Sequence, residues 1–177
     1  MSTITIIING QTGCGKDQLI DFAQQTMGKD KIQTESSIDP IKEIIRNTVG
    51  LNEEKTDIVR EFIHTLKIAY TKYCDLPNRY LFTKYEEANS NGAIILFVHI
   101  KEPEEIARFR KLMAQNNKPT TALLIKSQNS ESNNTTSRIN IDVNDYEYDY
   151  VFENNDDLNI TGPMFVKLIN TIIQQTT

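Results

Sequence analysis

The residues best suited to chemistry are Gly10, Gln11, Thr12, Gly13, Cys14, Gly15, Lys16 and Asp17. They read G-Q-T-G-C-G-K-D. The pattern G-x-x-x-x-G-K follows a short apolar run and precedes a helical pattern, the context in which such a loop binds phosphate. Glycines let the backbone approach an anion with no Cβ in the way. Successive N–H groups then form an anion nest, and a helix start adds its positive dipole end. Lys16 supplies a point charge suited to the β and γ phosphates of a nucleoside triphosphate. The plain alternative is a glycine-rich turn with no ligand. Motif and context together favour the phosphate loop.

Asp17 stands where this loop usually carries Ser or Thr, whose hydroxyl binds Mg²⁺. A carboxylate is also a hard oxygen ligand, so Asp17 is the candidate metal ligand. Its other reading is a favourable charge in the first turn of a helix.

These residues need a strand before them and a helix after them. Residues 3–9, TITIIIN, are β-branched and apolar, as in a strand buried on both faces of a parallel sheet. A helix is predicted from about residue 15 to 27, with Gly28 as its stop. Residues 31–36 suit a second strand. Asp39-Pro40 opens a helix, with Asp39 as N-cap and Gly50 at its end. Residues 53–74 form a long helical pattern carrying Ile58, Phe62, Ile63, Leu66 and Ala69, broken by Pro77. Another helix is predicted over 79–88. Residues 93–100 (AIILFVHI) and 120–126 (TTALLIK) are further buried strands, with a helix over 102–115 between them. Residues 128–137, QNSESNNTTS, are polar and read as a loop. A last strand over 148–152 and a helix over 162–175 close the chain. Strands alternating with helices imply an α/β fold with a parallel sheet covered on both faces.

The 177 residues suit one domain, and 38% hydrophobic with 24% charged residues is an ordinary globular composition. A net charge of −5 argues against general affinity for nucleic acid. No apolar run approaches the ~20 residues needed to cross a bilayer. Cys14 and Cys74 offer neither a disulfide framework nor metal-ligand spacing. The expected partners are therefore a nucleoside triphosphate and a small acceptor, with no nucleic acid or membrane, in a cytoplasmic protein. The sequence leaves oligomeric state open, a homodimer included.

The G-x-G-K-D ending resembles deoxynucleoside monophosphate kinases of phage and bacterial type, and animal phosphomevalonate kinases. Ser-Ile-Asp-Pro-Ile-Lys-Glu at 37–43 is similar to their acceptor-binding segment. His-Ile-Lys-Glu-Pro-Glu-Glu-Ile at 99–106 is similar to their third-strand end, and Tyr-Asp-Tyr-Val-Phe-Glu-Asn-Asn at 148–155 to their last strand and the loop near the adenine ring. The resemblance implies a single P-loop kinase domain over 1–177 with a three-layer α/β/α P-loop NTPase fold. The five-stranded parallel sheet would have the order 2-3-1-4-5. An acceptor-binding helical region would span about 37–92, and a lid-like loop about 127–138. Lys16, Lys101 and Arg138 would be catalytic, and Asn155 would lie at the cofactor. Lys42, Arg46 and Arg60 would bind the acceptor. ATP and Mg²⁺ would be the cofactors, and a (deoxy)nucleoside monophosphate the leading acceptor. His99 replaces the Asp expected at the third-strand end, and the lid is poor in arginine. Both features support an alternative: a nucleotide-binding sensor or regulator with little turnover.

Overall fold

A computed structural model describes residues 2–50, 56–128 and 143–176. Strand β1, Ile4–Gly10, is buried along its whole length. Its run of β-branched side chains leaves no face for water, so it takes the centre of the sheet. Ile6 and Ile8 project into one core layer with Leu19, Phe97 and Phe165. Ile7 projects into the opposite layer with Leu96, Val98 and Phe109. One strand thus anchors both helical layers. In the first layer Phe165 stacks on Phe97 at 6.2 Å and meets Phe152 edge-on at 5.4 Å. Each such buried ring contributes about 2–3 kcal/mol of burial.

The elements that follow are α1 (Lys16–Met27), β2 (Ile32–Ser36), α2 (Asp39–Thr48), α3 (Asp57–Cys74), α4 (Leu76–Ser90), β3 (Ile95–His99), α5 (Pro103–Gln115), β4 (Thr120–Lys126), β5 (Tyr150–Glu153) and α6 (Leu158–Thr176). The sheet has five strands in the order β2-β3-β1-β4-β5, and every neighbouring pair is parallel. Ile8 lies level with His99, and Gly10 with Ile125. The carboxyl ends of β1, β3 and β4 therefore open onto one crevice, where ligands of open α/β sheets bind. A third cluster, Ile41, Ile45 and Ile63, packs α2 and α3 together.

The element order and sheet order match the expectations from sequence, with local differences. Asp39 is not the N-cap of α2: Ile38 is, and Asp39 lies in the first turn. Its Oδ2 instead accepts from the Ser36 backbone N–H at 2.8 Å. Helix α3 begins at Asp57, with Thr56 as its cap, and not at residue 53. It ends at Cys74 and is capped by Asp75, held in the left-handed region at φ 49°, so Pro77 lies in the first turn of α4 and does not itself break α3. Ile63 is buried, but Ile58, Phe62 and Ala69 are exposed. Helix α6 starts at Leu158, ahead of Gly162. Its first turn is helped by Asp157, whose Oδ1 accepts from the Asn159 backbone N–H at 2.9 Å. Apart from Ser127 and Gln128, the lid-like loop lies outside the described residues, Arg138 with it.

Candidate active site

The loop between β1 and α1 is shaped by glycine where the backbone requires it. Gly10 sits at φ 156°, and a Cβ there would lie 2.5 Å from the Ile125 carbonyl oxygen and 2.6 Å from Cys14 Sγ. Gly15 caps α1 at φ 81°, and a Cβ there would collide with the side-chain amide of Asn154. Loop, β4 and the end of β5 are therefore packed to backbone distance.

Two asparagines outside the motif residues hold this arrangement. Asn9 is 1% exposed. Its Oδ1 accepts from the Gly10 N–H at 2.8 Å, while its Nδ2 donates to the Lys101 carbonyl at 3.2 Å and to the Tyr148 hydroxyl at 2.8 Å. One amide thus joins the first residue of the loop, the segment after β3 and the segment before β5. Asn154 donates from Nδ2 to the Cys14 carbonyl at 2.9 Å, and its own N–H bonds the Lys126 carbonyl at 2.7 Å. The signal was present for Asn9, a polar residue ending an apolar run, because a buried amide must be hydrogen-bonded.

Lys16 is half-buried at the start of α1. Its ammonium donates to the Gly10 carbonyl at 3.3 Å and lies 3.7 Å from Cys14 Sγ. It is thus folded over the loop, its charge held beside the N–H groups of the nest. Thr12 and Gly13 are exposed at the loop tip, Gln11 is half-buried, and Cys14 is buried as a free thiol. Asp17 is exposed in the first turn of α1. His99, at the end of β3, lies within electrostatic reach of Asp17, Lys16 and Asp39. Burial holds its imidazole below the usual pKa, against the pull of Asp17. The ring is therefore neutral near pH 7.

Lys101 follows two residues later. The residue is exposed, yet partial desolvation by the neighbouring chain, then the positive charge of Lys16, hold its ammonium below the ordinary lysine range. Lys101 thus stands close enough to Lys16 to feel its charge, and the two cations lie on the same side of the sheet edge. Arg60 adds to this field from α3, although its guanidinium is also paired with Asp57 at 3.3 Å on the surface. Lys42 is half-buried on α2, and Arg46 is exposed one turn further on. The structure therefore brings Lys16, Lys101 and Arg60 into one field and leaves Arg46 at the helix surface.

Glu102 is the acidic residue nearest in sequence to His99, and it is already engaged. Lys67 of α3, with 8% of its side chain exposed, reaches Glu102 at 2.7 Å and Glu105 at 2.6 Å. Burial pushes Glu105 up to about 7, with the lysine opposing and Glu102 reinforcing that shift. Glu102 is held below its ordinary range despite its burial, Lys67 being the main lowering influence. Both carboxyls meet on the one ammonium, and Glu105 Oε1 has no hydrogen-bond partner among the described residues. This triad ties α3 to the start of α5.

On the β4 side a cavity of about 310 Å³ opens between Gln11, Leu124, Ile125, Lys126, Val143 and Glu153. Asn155 stands beside it, its Oδ1 accepting from the Gln128 N–H at 2.8 Å. Among the described residues no group of three or more His, Cys, Asp or Glu side chains is placed to hold a metal. No helix among them is long and apolar enough to cross a membrane.

A glycine-shaped nest between the central strand and its helix, at the carboxyl edge of a 2-3-1-4-5 sheet, decides the architecture. The chain has a P-loop NTPase fold. Solved structures agree. A candidate kinase from Chloroflexus aurantiacus is similar with a TM-score of 0.59 at 13% identity, over 99% of this chain and 98% of that one. The APS kinase of Mycobacterium tuberculosis, in complex with AMPPNP and APS, gives 0.54 at 12% identity, over 96% and 98%. Thymidylate kinase from Ehrlichia chaffeensis gives 0.50 at 12% identity, over 96% and 100%. At these identities the likeness is one of fold. No protein-family model matches the sequence, and no curated protein matches it.

Proposed function

We propose that this chain is an ATP-dependent phosphotransferase acting on a small phosphorylated acceptor, a (deoxy)nucleoside monophosphate foremost. The observation that carries the reading is Lys16 folded over the glycine-shaped loop, its ammonium 3.3 Å from the Gly10 carbonyl, with Lys101 close enough to feel its charge. Such a field, with the N–H nest and the start of α1, suits the charge that develops as a phosphoryl group transfers. The similar folds of the APS kinase and thymidylate kinase support the class of reaction.

In this reading, Gly10–Gly15 and Lys16 hold the β and γ phosphates, and the cavity beside Gln11 and Glu153 takes the base and ribose. Lys101 faces the transferring group, with Arg60 and Lys42 on the acceptor side. Asn9 fixes the spacing between the loop and Lys101, so the two charges meet substrate already positioned. Asp17 would be the residue to hold Mg²⁺, which would supply charge neutralisation at the phosphates. Glu102 is committed to Lys67 and leaves Asp17 as the acidic ligand beside the loop.

Calorimetry of ATP with wild type and Lys16→Ala tests the binding step. A loss of at least ~10-fold is expected from removing a charge-assisted phosphate contact, and unchanged affinity in a folded variant refutes it. ATP consumption across a panel of nucleoside monophosphates tests the acceptor. One observation favours a second reading: His99 stands where the resemblance places a metal-binding Asp. ATP binding with no turnover on any acceptor would identify a nucleotide sensor.

A further inference from the structure

Helix α3 carries three different faces, and one of them is apolar and open. Arg60, His64 and Lys67 recur on the side toward the crevice, and Lys67 reaches α5 there. Val59, Ile63, Leu66 and Tyr70 form the core side against α2 and α4. Ile58, Phe62, Thr65, Ala69 and Tyr73 follow one another in steps of four, three, four and four residues, so they share the back of the helix. All five are exposed: Ile58 is 80%, Phe62 47% and Tyr73 87% accessible. A surface helix normally turns polar residues to water. Aromatic and branched residues at these spacings are the pattern of a helix with a helical partner.

We propose that this face pairs with the same face of a second copy of the chain, the two α3 helices running antiparallel about a two-fold axis. The charges flanking the stripe select this occupant. Glu61 and Lys72 lie on the same edge of it, three turns apart, one near each end. In an antiparallel pair related by a two-fold axis, like edges face one another. An axis between Thr65 and Leu66 sets Ile58 against the second copy's Tyr73 and Phe62 against its Ala69. The same axis brings Glu61 within about two residues, ~3 Å along the helix, of the second copy's Lys72. Symmetry makes that contact twice. The eighteen-residue helix gives a contact line of about 27 Å, which places the interface toward the small end for stable association. The crevice lies on the other side of α3 and stays open in the dimer.

The proposal is independent of the phosphotransfer reading and is tested without activity. Sedimentation of wild type should show a reversible dimer with micromolar dissociation. Phe62→Glu should be monomeric with an unchanged melting temperature, because the side chain is not in the core. Glu61→Lys should weaken dimerisation about tenfold, since it turns two attractive contacts repulsive. The double swap Glu61→Lys with Lys72→Glu should restore affinity to near wild type. A monomeric wild type at about 100 µM, or a dimer indifferent to Phe62→Glu, would overturn the proposal. Failure of the double swap to restore what the single swap removes would overturn the antiparallel register.

Discussion

Replacing Glu105 by Gln should stabilise this protein at alkaline pH and leave it unchanged in acid. Glu105 is buried, 2.6 Å from Lys67, and its folded-state pKa is raised to about 7 from an ordinary 4.5. A raised carboxyl binds a proton in the folded state that the unfolded chain has already lost. Stability therefore falls as pH rises through that window, from about 4.5 to about 7, and stays reduced above it. The interval corresponds to up to about 3 kcal/mol. Glutamine has nearly the shape of the protonated acid and no charge to desolvate, while Glu102 remains to pair with Lys67. The variant should equal wild type near pH 4.5 and exceed it by up to about 3 kcal/mol at pH 8, roughly 6–10 °C in melting temperature for a chain of this size. Thermal and urea melts of both proteins across that range measure the difference. A gap that does not change with pH, or that favours wild type at pH 8, would show that Glu105 is ionised at no cost and that the triad has been misread.

Other outcomes follow from the loop. Gly10→Ala should cost several kcal/mol or prevent folding, because its Cβ would meet the Ile125 carbonyl at 2.5 Å and the backbone is at φ 156°; a melting temperature within a degree or two of wild type would contradict it. Asp17→Asn should lower the Mg²⁺ dependence of ATP binding with little change in stability, and Mg²⁺ titration by calorimetry separates this from a charge acting only on the helix. Asn9→Leu should strand the buried Gly10 N–H, at about 1–3 kcal/mol of stability. It should also weaken ATP binding; an unaltered affinity would remove Asn9 from the positioning of the loop.

The phosphate loop was legible because its requirements are local: glycines where a Cβ has no room, a lysine at the helix start, and an apolar strand before them. The sheet order came through the family resemblance, and the parallel strands came from their unbroken apolar runs. What the sequence hid depends on distant partners. Lys67 and Glu102 are 35 residues apart, so nothing in their spacing announces that the acid is taken. Helical periodicity gathered Ile58, Phe62 and Ala69 with Ile63, but a period gives the spacing of a face and not which face meets the core. Helix α6 begins at Leu158 and not at Gly162 because Asp157 bonds the Asn159 N–H, so Gly162 and Pro163 lie inside it. Asn154 was hidden for the same reason as Lys67, since its partner Cys14 lies 140 residues away.

Asn9 grips Lys101 by its main-chain carbonyl and not by its side chain. The fold therefore fixes where position 101 stands while remaining indifferent to what stands there. Natural variation or an engineer can exchange the ammonium for a guanidinium, a neutral amide or a short alkyl group without disturbing the hub that holds the loop. Charge opposite Lys16 then becomes a separately adjustable property of the scaffold, and changes in reactivity at that position need not be accompanied by changes in architecture.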